Sequence, residues 1–432
     1  MANNLTELLF HGESTEVLKG LEANSVDSVV CDPPYGLSKE PDIVKVLTEW
    51  TTGDEAFVPD GKGFMSKEWD GFVPPPSLWR EVYRVLKPGG HALVFAGSRT
   101  QDLMTISLRL AGFEVRDVIE WLYFSGFPKS HDVSKAFDRR AGAERVVVGT
   151  GTSGKTYAMG GLRGEQTSEG VYDITAPATD LARKWDGWGT ALKPAHEPII
   201  VVRKPLIDAD TGRKLTVADC VEKYGTGAIN IDATRIDGAP RTTHKDGNQY
   251  AKKDTTFGGW GTMDNHLELS NKVPEKRFPA NCITLDSDEF YSKYFNVGQA
   301  NISPEELSKK ASKKDRNSDW RGEEIALEEA PTGHENLQNS NGFERFNTIN
   351  RNNHPTVKPT DLMAWLVRLV TPAGGTVLDP FAGSGSTLVA AKREGFGFIG
   401  VELTDEYIPI IEARVGVEHI AHIKADEKET DI

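Results

Sequence analysis

A short polar loop follows an apolar run near the start of the chain. Asp32-Pro33-Pro34-Tyr35 comes directly after Val26–Cys31. The two prolines fix φ and remove two N–H donors, so the loop presents carbonyl oxygens and the Asp32 carboxylate as acceptors. The exocyclic amine of a nucleobase has two N–H bonds, which Asp32 and the Pro33 carbonyl can accept, and Tyr35 offers a face for base stacking. The alternative interpretation is a plain proline turn after a strand.

A second loop, in the last quarter of the chain, combines an aspartate with closely spaced glycines. Gly383 and Gly385 follow Asp379 and precede a predicted helix, where a backbone without Cβ and the N–H groups of the helix can approach a ligand. Glu402 lies 23 residues after Asp379, and an acid at about that distance can accept hydrogen bonds from ribose hydroxyls. Leu388 replaces the third glycine of the dinucleotide fingerprint, which disfavours a dinucleotide fold. The alternative is a glycine helix entry with a surface glutamate.

Strands and helices alternate at both ends of the chain and must position these loops. Apolar runs predict strands at Glu7–His11, Val26–Cys31, His91–Ala96, Val118–Phe124, Pro198–Val202, Gly375–Leu378 and Gly397–Val401. Periodicity predicts helices at Ser14–Leu21, Ser77–Leu86, Asp361–Val370 and Thr387–Arg393, the second ended by Lys87-Pro88-Gly89-Gly90. This order indicates an α/β fold with a doubly wound, mostly parallel sheet. Ligands bind beyond the carboxyl ends of such strands, so both loops should lie at one edge.

The middle of the chain has weaker periodicity. Residues 148–180 are rich in Gly, Ser and Thr, while residues 238–275 and 296–350 are polar. The α/β core is therefore predicted to be split between the two ends of the chain. The predicted divisions are residues 1–205 with a loop insertion at about 128–190, an inserted region 206–353, a second part of the core 354–416, and an acidic tail 417–432.

Together the two loops resemble motifs of the β group of DNA amino-methyltransferases, which use S-adenosylmethionine. In that family D-P-P-Y is the catalytic motif and F-x-G-x-G the cofactor motif. The resemblance extends to residues 354–359, HPTVKP, and to Gly12-Glu13, where the family often has Gly-Asp. It covers roughly the first 125 and the last 80 residues. It implies a Rossmann-like class I methyltransferase with circularly permuted motif order and residues 206–353 as the target-recognition region.

The resemblance also assigns roles to individual residues. The implied catalytic residues are Asp32, Pro33, Pro34 and Tyr35. The implied cofactor-binding residues are Asp379, Phe381, Gly383, Gly385, Thr387, Glu402, His354 and Lys358. The implied partner is double-stranded DNA, whose target base is flipped out of the helix.

Three further segments resemble parts of phage and prophage adenine methyltransferases: Gly126–Ser130, Trp185–Pro198 and Arg277–Asn281. Lys193 and Trp188 are candidate substrate-binding residues. The alternative is that Trp185 and Trp188 are core residues, which is the more common role of tryptophan.

The expected target is the N6 amine of adenine, because Asp at the first motif position leans to adenine in the resembling family and Ser leans to cytosine. The alternatives are a cytosine N4 enzyme, an RNA or protein amide methyltransferase, and a catalytically silent DNA-binding or nucleotide-sensing protein. Asp32 and the long insertion speak against the amide substrate. The intact catalytic and cofactor motifs speak against the silent protein.

Composition narrows the class of protein further. The 432 residues carry a net charge of −14, which argues against a surface that coats polyanions as a whole and leaves room for a local basic cleft. Only three cysteines occur, without a C-x-x-C pair, and no metal site is predicted. No apolar run is long enough to span a bilayer, so we expect a cytoplasmic protein. A homodimer and a cognate restriction nuclease stay open as partners.

Overall fold

The computed structural model divides into two compact units. One comprises residues 1–124 and 196–432, and the other comprises residues 125–195. The structure describes residues 5–37, 40–60, 71–123, 130–152, 171–237, 276–283, 316, 352, 354–416 and 420–422.

Thirteen strands occur in the described residues. They are β1 Glu7–His11, β2 Val26–Cys31, β3 Leu86–Phe95, β4 Glu114–Leu122, β5 Val147–Thr152, β6 Val171–Thr175, β7 His196–Arg203, β8 Ile236–Asp237, β9 Lys276–Arg277, β10 Cys282–Ile283, β11 Thr376–Asp379, β12 Gly397–Glu402 and β13 Ile420–His422. The α-helices of the same residues are α1 Ser14–Lys19, α2 Ile43–Thr52, α3 Pro76–Val85, α4 Gln101–Leu110, α5 Val133–Ala141, α6 Asp180–Lys184, α7 Val217–Tyr224, α8 Thr360–Val370, α9 Ser386–Arg393 and α10 Ile408–Val415.

Nine of these strands form one sheet in the order β10-β4-β7-β3-β2-β11-β12-β1-β13. Every neighbouring pair in it is parallel except those of β7, which runs antiparallel to both β3 and β4. The chain passes from β2 to β3 on one side of the sheet centre and from β11 to β12 on the other. The prediction of a doubly wound, mostly parallel sheet with the catalytic motif before the cofactor motif is confirmed.

Hydrophobic cores cover both faces of this sheet. Successive strand residues point to opposite faces: Val30 and Leu93 belong to the core that contains α8 and α9, whereas Val29 and Ala92 belong to the core that contains α3 and α4. Because both faces are buried, the central strands are almost continuously apolar, and this pattern makes them recognisable in the sequence.

The segment after α3 differs from the prediction. Helix α3 begins with Pro76 in its first turn and ends at Val85, and β3 starts directly at Leu86 and includes Lys87–Gly90. The helix therefore ends just before the segment predicted to stop it, and that segment is part of the next strand. Gly89 has φ +74°, and a Cβ there would lie 2.6 Å from Cys220 Sγ, so the strand needs glycine where α7 packs against it.

Several elements lie outside the predicted set. Helices α2, α4, α7 and α10 were not predicted from periodicity. Strand β13 pairs with β1 within the segment predicted to be an acidic tail. Of the predicted recognition region 206–353, the structure describes residues 206–237, 276–283, 316 and 352. The other residues of that region lie outside the described part of the chain, and the domain boundaries stay predictions.

The second unit contains α5, α6 and the antiparallel pair of β5 and β6. The fully buried carboxylate of Asp138 accepts hydrogen bonds from Arg145, from the backbone N–H groups of Ala178 and Thr179 and from the Thr179 hydroxyl. Paired and hydrogen-bonded in this way, the charge can be buried. These bonds fasten α5 to the start of α6.

No helix among the described residues is long and apolar enough to cross a membrane.

Candidate active site

The two polar loops lie side by side at the carboxyl edge of the sheet. Strands β2 and β11 are parallel neighbours, with Ser28 opposite Val377. Asp32 follows β2 directly, and Asp379 is the last residue of β11. The strand order reverses between them, and this is the position where open α/β sheets bind ligands. The predicted meeting of the two loops is therefore observed.

Lys358 holds the Asp32 carboxylate by one oxygen. Its ammonium, on a side chain that is 8% exposed, forms an ion pair with Oδ2 of Asp32. The other oxygen, Oδ1, is buried and has no hydrogen-bond partner among the described residues. Burial raises the pKa of Asp32, and the negative charge of Glu197 adds to this while Lys358 opposes it. A buried acceptor without a donor is costly, so this oxygen suits an N–H group of a ligand.

Glu197 is a second carboxylate in this site, and no physical feature of the sequence selects it. Its Oε2 accepts a hydrogen bond of 3.1 Å from the Tyr35 hydroxyl and lies 3.5 Å from Lys358 Nζ. Glu197 is near the start of β7, and because β7 runs antiparallel to β3, its start lies at the same edge as the ends of the parallel strands. The sequence does not show that β7 runs antiparallel, so it could not place Glu197 at this edge of the sheet.

Tyr35 is held at both its ends. The Thr100 hydroxyl donates a hydrogen bond of 2.5 Å to its backbone carbonyl, and its own hydroxyl donates to Glu197. Lys358 Nζ lies 5.3 Å from the centre of its ring and 4.9 Å from that of Phe95. The proline loop is thus fixed by side-chain contacts as well as by its restricted φ angles.

The glycine loop after β11 has a backbone that requires glycine. Gly383 and Gly385 have φ values of +56° and +77°. A Cβ on Gly383 would lie 3.0 Å from His354 Nε2, and one on Gly385 would lie 3.0 Å from Ile411. The loop leads into α9 at Ser386. Its form is a cradle of backbone atoms at a helix N-terminus, which suits a closely bound polar ligand.

Glu402 fixes the cradle from the end of the next strand. Its Oε2 accepts a hydrogen bond of 2.7 Å from the Gly383 N–H, and its Oε1 accepts one of 2.8 Å from the Thr404 N–H. Burial raises the pKa of Glu402, and the backbone hydrogen bonds oppose this rise. Each carboxylate oxygen has a further lone pair, so binding of a ribose by Glu402 stays a prediction.

Asp379 lies beneath the cradle and is buried. Its Oδ1 accepts a hydrogen bond of 3.0 Å from the Phe381 N–H. Burial raises the pKa of Asp379 to about 7, against hydrogen bonding from Thr387. The Phe381 ring packs toward Trp79 of α3, with ring centres 6.0 Å apart.

His354 lies against the cradle at Gly383. Its Nδ1 accepts a hydrogen bond of 3.3 Å from the Thr356 N–H, which leaves the ring proton on Nε2, the atom facing Gly383. The ring meets Tyr407 edge to face, with centres 4.4 Å apart. His354 therefore borders the cofactor loop, whereas Lys358 from the same motif reaches the catalytic loop.

Arg414 of α10 is a positioning residue for the cradle that the sequence did not reveal. Its buried guanidinium donates to the Ser384 carbonyl at 2.6 Å and to the hydroxyls of Ser384 and Ser386. Ser14 adds a hydrogen bond of 2.6 Å to the Pro380 carbonyl. Its neighbour Glu13 acts as the N-cap of α1 and accepts from the Glu16 N–H.

Two predicted substrate residues belong to the second unit. Trp188 is 61% exposed, with its ring centre 5.0 Å from that of Trp185, and Lys193 is also exposed. The expectation that Trp188 packs in a core was wrong, since its side chain is exposed, and Trp185 is only partly buried. The substrate role of both residues stays a prediction. Residues 126–129 of the related segment lie outside the described residues.

Across the described ranges, no group of three or more His, Cys, Asp and Glu side chains is arranged to hold a metal ion.

Cys31 is fully buried in the strand core, so its thiol is a packing group.

A doubly wound sheet with a proline loop and a glycine cradle at its switch point defines a Rossmann-like methyltransferase. A family model described as DNA methylase, of the N6/N4 type, matches residues 26–413. The chain belongs to this DNA methylase family, and S-adenosylmethionine is its cofactor.

Individual proteins match this chain either at low sequence identity or over a short part of its length. The chain is 23% identical to the type II methyltransferase M.HindIII of Haemophilus influenzae, over 96% of each protein. It is 44% identical to the type II methyltransferase M2.DpnII of Streptococcus pneumoniae over 66 residues, 15% of this chain and 25% of that protein. TTHA0409 of Thermus thermophilus, solved with S-adenosyl-L-methionine, is 15% identical with a TM-score of 0.39, over 97% of this chain and 100% of that one.

Proposed function

We propose that the protein is a site-specific methyltransferase that modifies the exocyclic N6 amine of adenine in double-stranded DNA, after the base has been flipped out of the helix. The observation that carries this proposal is the Asp32 carboxylate, with Oδ2 held by Lys358 and Oδ1 buried without a donor among the described residues. It directly follows β2, the neighbour of the strand that leads into the glycine cradle.

The cradle residues fit the cofactor. Gly383 and Gly385 let its polar part approach the backbone, since a Cβ at either position would contact His354 or Ile411. Glu402 supplies lone pairs for the ribose hydroxyls, and His354 supplies an N–H beside Gly383. Asp379, Phe381 and Thr387 belong to the same loop and its helix and are proposed to shape it, and Lys358, which pairs with Asp32 of the proline loop, is proposed to face the cofactor from there.

When bound, the cofactor supplies an electrophilic methyl group on a positively charged sulfur. The protein must then aim the lone pair of a weakly nucleophilic amine at that methyl group. Asp32 Oδ1 and the Pro33 carbonyl accept the two amine protons and so favour a pyramidal nitrogen, while Pro34 keeps the loop rigid. Holding both reactants in line supplies the entropic part of the catalysis. After transfer, Asp32 can receive the proton that the amine nitrogen releases.

DNA binding requires further contacts. Flipping the base costs a few kcal/mol, which stacking on Tyr35 would offset in part. Trp188 and Lys193 are proposed to contact the DNA, the first by stacking and the second at a phosphate. Base reading is assigned to residues 206–353, whose Arg, Lys, Asn and Gln side chains suit base edges.

Methylation of cytosine N4 is the second candidate function. It is favoured by the chemistry of the site, because the same two acceptors fit that amine equally well. The adenine proposal relies on Asp at the first position of the proline loop. A cytoplasmic location and a cognate restriction nuclease are part of the proposal, the latter because M.HindIII is named a type II methyltransferase.

The proposal predicts that Asp32→Ala abolishes methylation and leaves cofactor binding intact. Loss of an acceptor aimed at the reacting amine should reduce the rate by roughly 10³-fold. Methyl incorporation from radiolabelled cofactor into DNA measures the rate, and calorimetry measures the dissociation constant. Retained activity would contradict the role of Asp32.

Mass spectrometry of nucleosides from the methylated DNA distinguishes the two candidate amines. We expect N6-methyladenine. N4-methylcytosine instead would replace the first candidate with the second, and cofactor binding without any methylated base would contradict both.

A further inference from the structure

We propose that Glu197 is a positioning residue of the transfer reaction, which holds Tyr35 and Lys358 so that Asp32 gives Oδ2 to Lys358 and keeps Oδ1 for the substrate amine. This inference rests on the proposed function, and it applies to either target base. Glu197 was assigned no role by the motifs.

The geometry connects four residues from three separate parts of the chain. Glu197 Oε2 accepts the Tyr35 hydroxyl at 3.1 Å and faces Lys358 Nζ at 3.5 Å. Lys358 pairs with Asp32, although the two residues are 326 positions apart in the sequence. The side chains of Lys358 and Glu197 are only 8% and 13% exposed. Water therefore competes little for these contacts, and each partner limits the rotamers of the next.

The charge of the cluster also suits the reaction. Two carboxylates and one ammonium leave one surplus negative charge, close to the amine that Asp32 would bind. Methyl transfer moves positive charge from the sulfur to the amine nitrogen. A preorganised negative charge beside that nitrogen stabilises the transition state more than the ground state. Glu197 supplies the surplus charge without touching the amine.

Other titratable groups face this cluster. Besides Lys358 and Glu197, Asp32 is near Tyr35, Cys31 and Asp379. Glu197 is hydrogen-bonded to Tyr123 as well; burial raises the pKa of that phenol, and the charge of Glu197 adds to the rise. A substitution at position 197 leaves these side chains in place, and loss of the Glu197 charge lowers the pKa of the Tyr35 and Tyr123 phenols, which burial still raises above its ordinary value.

The test uses Glu197→Gln in the full chain, with single-turnover methylation of DNA measured across pH. Gln keeps the shape and an acceptor but removes the charge, so we expect the rate to fall by roughly 10-fold or more while the cofactor dissociation constant changes by less than about 2-fold. Removing the negative charge lowers the pKa of Asp32, and the acid limb of the rate profile should shift to lower pH. Lys358→Met should shift it to higher pH.

The control variant is Glu114→Gln. Glu114 is a partly exposed carboxylate at the start of β4, opposite Arg203 at the end of β7, and it forms an ion pair with that residue. Removing the charge of Glu114 should therefore leave the methylation rate and its pH profile unchanged. Glu197→Asp should restore the pH profile, because it restores the charge. A wild-type rate and profile in Glu197→Gln would overturn the inference.

A double-mutant cycle keeps the inference testable if Glu197→Gln lowers stability. Tyr35→Phe removes the hydroxyl that donates to Glu197, so the combined variant should lose less activity than the sum of the single losses. Additive losses would show that the two residues act independently and would count against the inference. If the wild-type protein itself methylates no DNA, the proposed function fails instead.

Discussion

Glu402 fixes the glycine loop and is also the residue proposed to bind the ribose of the cofactor. Its two oxygens accept the N–H groups of Gly383 and Thr404, so the end of β12 fixes the cradle beside β11. The residue is 7% exposed, which makes these charge-assisted hydrogen bonds stronger than surface ones. If Glu402 binds the ribose hydroxyls as proposed, its carboxylate is already in place before the cofactor binds.

We therefore predict that Glu402→Ala raises the cofactor dissociation constant by roughly 10- to 100-fold, the equivalent of one lost hydrogen bond to a charged group. Calorimetry with S-adenosylmethionine measures the change. Glu406→Ala is the matched control, because Glu406 is exposed four residues later. An unchanged constant in Glu402→Ala would remove this residue from the binding site.

Among single residues, those with distinctive local chemistry could be predicted from the sequence. Asp32 and Gly383 each occur in a loop whose residue types limit the backbone, and the structure brings both loops to one edge. Glu197 and Arg414 could not be predicted in the same way. Their roles depend on the antiparallel direction of β7 and on the packing of α10, which involve contacts between residues far apart in the chain.

At the scale of elements, the glycine cradle connects backbone conformation with binding. Gly385 has φ +77°, and its Cβ position is 3.0 Å from Ile411 of α10. Gly395, in the turn between α9 and β12, has φ +78° and nothing within 4 Å of its Cβ position. The two glycines therefore share a conformation but differ in their surroundings.

This pair gives a controlled prediction. Alanine in the left-handed region costs about 1–2 kcal/mol, so both Gly385→Ala and Gly395→Ala should lower the free energy of unfolding by about that amount. Only Gly385→Ala should also raise the cofactor dissociation constant, because its Cβ displaces the cradle. Chemical denaturation and calorimetry measure the two effects. Equal cofactor affinity in both variants would contradict the role of the cradle.

Amphipathic and fully buried elements differ in how visible they are in a sequence. Helix α3 buries Leu78, Trp79 and Val82 on one face, and its period predicted it within one residue at each end. Helix α10, IPIIEARV, is buried on almost all sides and includes a proline in its first turn, so it shows no helical period. Strand β13 has three residues, too few for any pattern.

At the scale of the whole molecule, residues 125–195 are inserted in the sequence between β4 and β7, two strands that pair with each other. Leu122, the last residue of β4, is opposite His196, the first residue of β7. Antiparallel neighbours of this kind need only a short turn to connect them. The sheet of the larger unit therefore does not depend on the inserted residues for its strand order.

We predict that replacing residues 125–195 with a four-residue Gly-rich turn leaves a folded protein whose cofactor dissociation constant changes by less than about 3-fold, since the cradle is held by other elements. If Trp188 and Lys193 contact DNA as proposed, the shortened protein should lose DNA methylation. The full chain carrying Trp188→Ala and Lys193→Ala is the control, and it should lose affinity for DNA. Full methylation by the shortened protein would exclude a role for this unit in catalysis.

The pairing of β2 with β11 has a consequence for synthesis of the protein. A ribosome releases the proline loop early, but its sheet neighbour and its lysine partner emerge more than three hundred residues later. Strand β2 can pair with β3 soon after both have emerged, but its other edge lacks β11 for most of translation, a state that favours aggregation and chaperone binding. Any product that stops before β11 would contain the proline loop without the glycine loop that lies beside it in the full protein.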